Sequence, residues 1–83
     1  MRITLKLFAM LTDYLPPGSE HNSVSLELPD DVRIGQVIEQ LRLPRELVHL
    51  VMLNGVYVAP PQRFEQGLRD ADVLAIWPPV AGG

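Results

Sequence analysis

Apolar and polar residues alternate one for one from Arg2 to Phe8. Ile3, Leu5 and Leu7 fall on one face, and Arg2, Thr4, Lys6 and Phe8 on the other. A period of two marks a half-buried strand, and Phe8 is the one large apolar residue on its polar face. The alternation returns over 23–29, with Val24, Leu26 and Leu28 inward. Between the two, Leu11, Tyr14 and Leu15 suit one short helical turn, ended by Pro16-Pro17-Gly18, with 18–22 as loop. Two strands so spaced predict a hairpin. Over 33–44 the period lengthens: Ile34, Val37, Ile38 and Leu41 lie at i, i+3, i+4 and i+7, one face of a helix. Asp30 and Asp31 precede it, where negative charge favours a helix start. Arg33 is a poor N-cap, and Pro44 ends the helix.

The rest of the chain is β-rich. "ELVHLVML" (46–53) is nearly all apolar and predicts a strand buried on both faces, with His49 partly buried and hydrogen-bonded. Asn54-Gly55 is a strong two-residue hairpin signal, and 56–58 is the short return strand. Segment 59–68 holds two prolines and cannot be a central strand. Residues 69–72 read as a turn, 73–77 as the last strand, and 78–83 as a tail. The order β-β-α-β-β-β predicts an α+β fold of two layers: a mixed sheet of about five strands with one main crossover helix on one face. Hairpin, crossover helix and later strands together suggest a ubiquitin-like β-grasp. In that arrangement the last strand lies beside the first, mid-sheet. Residues 1–77 then form the domain, and 78–83 a flexible tail leaving a rigid platform.

Composition narrows the function. Hydrophobic residues make up 47% and charged residues 20% of the 83, a globular balance in a chain long enough for one modest core. There is no cysteine, so no disulfide contributes. Net charge is −3 and the seven basic residues are scattered, Lys6 being the only lysine. Without a basic cluster, no nucleic-acid partner is expected. No run reaches the ~20 apolar residues of a membrane span, so no membrane partner is expected. "MRITLKLFAM" lacks the unbroken apolar core of a signal peptide, and the expected location is the cytoplasm.

Candidate chemistry concentrates in "IWPPVAGG" (76–83). Pro78 and Pro79 fix φ near −65° and cannot extend a sheet ladder, so they are expected to hold the tail off the domain. Six extended residues reach roughly 20 Å. Gly82 and Gly83 carry no side chains and can thread a narrow slot, which makes the Gly83 carboxylate a deliverable group on a tether. Elsewhere the residues point to structure. His21 reads as a solvated loop residue, and Asp70 and Asp72 as turn-forming carboxylates rather than metal ligands. Two isolated histidines without cysteine give no zinc spacing. Gly35, Gly55 and Gly67 are isolated, so no phosphate loop forms. Phe8, Trp77 and Tyr57 are expected to form an exposed aromatic patch at the root of the tail, a partner site. The competing reading packs Phe8 or Trp77 under the 9–22 loop.

"RITLKLFAML", "LNGVYV" and "LRDADVLAIWPPVAGG" resemble the MoaD/ThiS family of sulfur-carrier proteins over essentially the whole chain. Most members have glycine where this chain has Ala71, and a common turn type tolerates alanine there. The ending resembles the molybdopterin-synthase small subunit more than the thiazole-forming branch. The resemblance implies a β-grasp that is not catalytic alone and binds no cofactor. It implies a ubiquitin-activating-type partner that uses ATP to adenylate Gly83, and a persulfide sulfur donor that converts the adenylate to a thiocarboxylate. A larger catalytic subunit would then receive the tail, with Gly82 threading it. Phe8, Tyr57, Trp77, Pro78, Pro79, Val80 and Ala81 are the implied partner contacts. Sulfur would pass to a pterin precursor, building the dithiolene that binds molybdenum or tungsten. Three alternatives stay open: a carrier for thiamin thiazole, cysteine or another thio-metabolite; a ubiquitin-like modifier joined through Gly83 to lysines; and a β-grasp interaction domain whose Gly-Gly is incidental.

Overall fold

A computed structural model describes residues 1–80 of the chain. Strand β1 (Arg2–Leu7) pairs antiparallel with β2 (Ser23–Glu27), Leu5 opposite Val24 and Ile3 opposite Leu26, as the shared alternation requires. The connection holds the expected helical turn, a 3-10 turn at Ala9–Tyr14 that buries Leu11. The chain then crosses the sheet through helix α1 (Ile34–Gln40) and returns as β3 (Leu50–Leu53), β4 (Val56–Tyr57) and β5 (Val73–Trp77). The sheet order is β2-β1-β5-β3-β4, with β5 parallel to β1 and antiparallel to β3. This is the predicted β-grasp, with the last strand central. Its core lies between sheet and helix. Ile3, Leu5 and Leu7 of β1, Leu74 and Ile76 of β5, and Val51 of β3 meet Ile34, Val37 and Ile38 of α1, all buried. Each such side chain contributes roughly 1.5–3 kcal/mol by leaving water.

The helix is shorter than its apolar period predicts, and Pro44 does not end it. Arg42 adopts φ 59°, in the left-handed region. Its N–H donates to Glu39 O at 3.0 Å, and the Leu43 N–H donates to Ile38 O at 3.2 Å. That is the Schellman pattern, closed two residues before Pro44 by an arginine in a position that favours glycine. The amino-terminal end is also capped differently from expectation. The Gln36 side-chain oxygen accepts from the Arg33 N–H at 2.9 Å, the reaching-back half of a capping box. The free N–H groups of Ile34 and Gly35 donate to Gln66 O and Arg63 O. The acidic pair takes no part in that capping: Asp31 turns the chain at φ 67°, and Asp30 faces the amino-terminal ammonium at 3.7 Å.

Segment 46–53 corrects a second expectation. A 3-10 turn occupies Arg45–Leu47, β3 begins only at Leu50, and Val51 alone in β3 is fully buried. His49 is exposed and takes part through its backbone, donating its N–H to Trp77 O at 3.0 Å. The segment between β4 and β5 is not a bare loop. It forms a 3-10 turn at Pro60–Gln62, buries Arg63, and lays the Phe64 ring on Gly35, where a Cβ would overlap it.

Both tight turns at the far end of the sheet are pinned by side chains. Asn54 and Gly55 both have positive φ, 51° and 81°, as a type I′ hairpin demands. The Asn54 amide donates to Asp72 Oδ1 at 2.9 Å, and its oxygen accepts from the Val73 N–H at 2.8 Å. Asp70 accepts from the Arg2 N–H, and Asp72 from the Arg69 N–H, each at 2.8 Å. The two aspartates are therefore turn-formers. Ala71 between them has φ 73°, so this turn is not indifferent to alanine as expected. A left-handed L-residue costs roughly 1–2 kcal/mol, partly offset in a glycine variant by the freer unfolded chain. Ala71→Gly is expected to stabilise the domain by up to ~1 kcal/mol and raise its melting temperature by a few degrees, read by thermal denaturation.

Candidate docking face and carboxyl-terminal tail

Strand register decides which side chains share the face away from α1. Paired residues point to the same side of a sheet. Because Ile3, Leu5, Leu7, Leu74, Ile76 and Val51 face the helix, the alternate positions face outward. Leu50 of β3 lies opposite Trp77 of β5, and Phe8 directly follows β1 beside it, donating its N–H to Ile76 O at 3.2 Å. The next row runs Tyr57, Met52, Ala75, Lys6, Ser23 across all five strands. The outer face is thus apolar over β5, β3 and β4, and polar over β1 and β2.

Phe8 and Trp77 stack with ring centroids 4.2 Å apart and planes 5° from parallel. Both are half-buried. This places them together on the outer face rather than in the core with Leu11. Tyr57 shares that face at 53% exposure, but it stands on the edge strand, two strands from Trp77. The three aromatics therefore mark two ends of one apolar surface rather than a single cluster. Leu50 and Met52, half-buried between them, complete it. The sequence reading missed both, although the unbroken apolar run 50–53 carried the signal.

The tail starts at this surface. β5 ends at Trp77. Pro78 is buried, so it packs on the domain instead of holding the chain away from it. Pro79 is exposed and Val80 is 80% exposed. Ala81, Gly82 and Gly83 lie outside the described residues. Trp77 O is held by the His49 N–H, whose own carbonyl accepts from Arg63 Nη2 at 3.0 Å. The exit point is thereby tied to the buried Arg63.

Among the described residues, no three His, Cys, Asp or Glu side chains come together as a metal site. No helix there is long and apolar enough to cross a membrane.

The family model of ThiS matches residues 5–83 of the chain. The chain belongs to the ThiS family. The match begins within β1 and runs through β5 to Gly83, spanning both the candidate docking face and the tail sequence. The ThiS-family chain is also similar to solved structures. The solution structure of the Haloferax volcanii protein HVO 2177 is 27% identical, with TM-score 0.77, covering 100% of this chain and 87% of that one. SAMP1, the small archaeal modifier protein 1 of Haloferax volcanii, is 24% identical with TM-score 0.70 and covers all of both chains. A chain in the complex of subunits 1 and 2 of the molybdopterin-converting factor from Helicobacter pylori is 19% identical with TM-score 0.60, again over all of both chains. These likenesses establish the fold common to ThiS/MoaD-like sulfur carriers and ubiquitin-like modifiers. A comparison with curated proteins found no match.

Proposed function

We propose that the chain is a sulfur carrier serving as the small subunit of a molybdopterin synthase. The observation that carries this reading is the placement of β5. The central strand ends on the Phe8–Trp77 stack at an apolar face, and the sequence Pro-Pro-Val-Ala-Gly-Gly follows it directly. A likeness to one chain of the Helicobacter pylori two-subunit complex supports a larger catalytic subunit as the partner on that face.

The chemistry follows from the groups this chain has and lacks. A carboxylate does not exchange oxygen for sulfur unaided. Attack of the Gly83 carboxylate on the α-phosphate of ATP, in an adenylating partner, forms a mixed anhydride and releases pyrophosphate. A persulfide sulfur then attacks the carbonyl carbon, and AMP leaves. A second thiol cleaves the resulting S–S bond by exchange, leaving the thiocarboxylate on Gly83 and a disulfide on the donor side. With no cysteine of its own, the chain cannot carry sulfur as a persulfide, and the terminal acyl group is its handle. The partners supply water exclusion and alignment, which can lower such a barrier by ~7–11 kcal/mol. A reaction that consumes ATP is compatible with a cytoplasmic location, the one the sequence leads us to expect.

The test is the intact mass of the protein isolated from its own host with the activating enzyme present. Replacement of one terminal oxygen by sulfur is expected, together with loss of molybdopterin when the gene is deleted. Thiocarboxylate without a molybdopterin phenotype would move the carrier to another thio-metabolite. The likeness to SAMP1 favours a second reading, protein modification, which requires isopeptide-linked conjugates of the chain in cell extract.

A further inference from the structure

Lys6 stands in the middle of the outer face. It lies between Ser23 of β2 and Ala75 of β5, two residues before Phe8, or roughly 7 Å along the strand. The other basic residue of β1, Arg2, is paired with Glu27. Lys6 is half-buried, and among the described residues no carboxylate comes within 4.0 Å of it. It lines a polar groove of about 480 Å³ with Thr4, Ser23 and Ser25, where Glu20 and His21 also lie, beyond ion-pair distance. Among the described residues, the boundary between the apolar and polar halves of the face therefore carries an ammonium group with no carboxylate partner.

A partner that covers Phe8 and Trp77 must also cover Lys6 or approach within its reach. Burying an ammonium without a counter-charge is strongly unfavourable, whereas a charge-assisted hydrogen bond in a dehydrated interface is among the stronger polar contacts. We propose that Lys6 is the ionic anchor of the docking face, and that the larger catalytic subunit meets it with a carboxylate beside an apolar patch for Phe8, Trp77 and Leu50. This rests on the small-subunit reading above. The anchor fixes register: the apolar patch alone tolerates sliding across β5 and β3, while the ion pair permits one placement. It also selects, because a subunit with an apolar patch but no acid at that place is rejected by the cost of desolvating Lys6.

The experiment is calorimetric titration of the purified larger subunit from the same organism with wild type, Lys6→Gln and Lys6→Arg, at low and high salt. Lys6→Gln is expected to weaken binding by about tenfold at low salt and to flatten the salt dependence, at an unchanged melting temperature. Lys6→Arg, which keeps the charge, is expected to retain most of the affinity and the salt slope, and serves as the second variant if the glutamine chain folds poorly. Wild type binding with Lys6→Gln equal to it in affinity and salt slope overturns the anchor alone. Wild type failing to bind overturns the small-subunit reading, and the anchor with it.

Discussion

Trp77→Asp is expected to weaken binding to the larger subunit by at least ~30-fold while the chain itself stays folded. Interface aromatics that anchor a docking surface cost about 2 kcal/mol or more when removed, which is roughly 30-fold in affinity. A carboxylate in their place must also be dehydrated against an apolar partner. The domain loses less. Trp77 lies on the face opposite the core, where it stacks on Phe8 with ring centroids 4.2 Å apart. Losing a stacked pair costs about 0.5–1.5 kcal/mol, and a poor strand residue up to ~1 kcal/mol more, within the ~5–15 kcal/mol that a small domain has. Titration of the larger subunit measures the first effect, and a thermal melt of the variant alone the second. A variant that does not fold would make Trp77 a core residue and remove the docking assignment. Tyr57→Asp, on an exposed edge position, then reads the same face without touching the stack, with a smaller loss of binding expected.

What the chain revealed in advance follows from where its constraints are local. β1 and β2 alternate because each faces a helix on one side and solvent on the other, so their pattern carries both strand and face. Asn54-Gly55 encodes its turn because only residues that tolerate positive φ form it. The central position of β5 followed from combining these elements, and with it the site of tail exit. The apolar run into β3 was ambiguous for a physical reason. A strand buried on both faces and a strand with an apolar outer face have the same composition, and only register separates Val51, inward, from Leu50 and Met52, outward. Non-local features were not legible. Arg42 ends α1 in a conformation that its side chain does not advertise. Gly35 is explained only by the Phe64 ring lying on it. The burial of Pro78 depends on the domain surface it meets rather than on the stiffness of its own ring.

Arg63 is the clearest case of a residue whose role exists only in three dimensions, and its replacement is expected to cause the largest loss of stability. Set among Pro, Gln and Phe, it reads as an ordinary surface arginine. It is 6% exposed. Its Nε donates to Val58 O at 3.1 Å, Nη1 to Val48 O at 3.4 Å and Nη2 to His49 O at 3.0 Å. Among the described residues no carboxylate pairs with it, so the carbonyl dipoles of two separate segments solvate the guanidinium. Those segments are the entry to β3 and the exit from β4, joined also by the Val58 N–H donating to Val51 O at 2.9 Å. Removing Arg63 leaves up to three carbonyls under-satisfied and unclamps both. A hydrogen bond to a charged donor contributes about 1.5–3 kcal/mol, and three sharing one donor are not additive. Arg63→Met, which keeps the aliphatic stem, is expected to cost about 3 kcal/mol, or roughly 12–25 °C in melting temperature for a domain of this size. Lysine supplies the charge but not the planar fork that reaches carbonyls in two directions, so Arg63→Lys is expected to fall between methionine and wild type. Because His49 also holds Trp77 O, amide exchange in the methionine variant is expected to rise first at His49 and Val58, ahead of the β1–β2 ladder. A uniform rise across the sheet, or a melting temperature within a degree or two of wild type, would show that solvent replaces the guanidinium at little cost and that the clamp does not hold the exit of the tail.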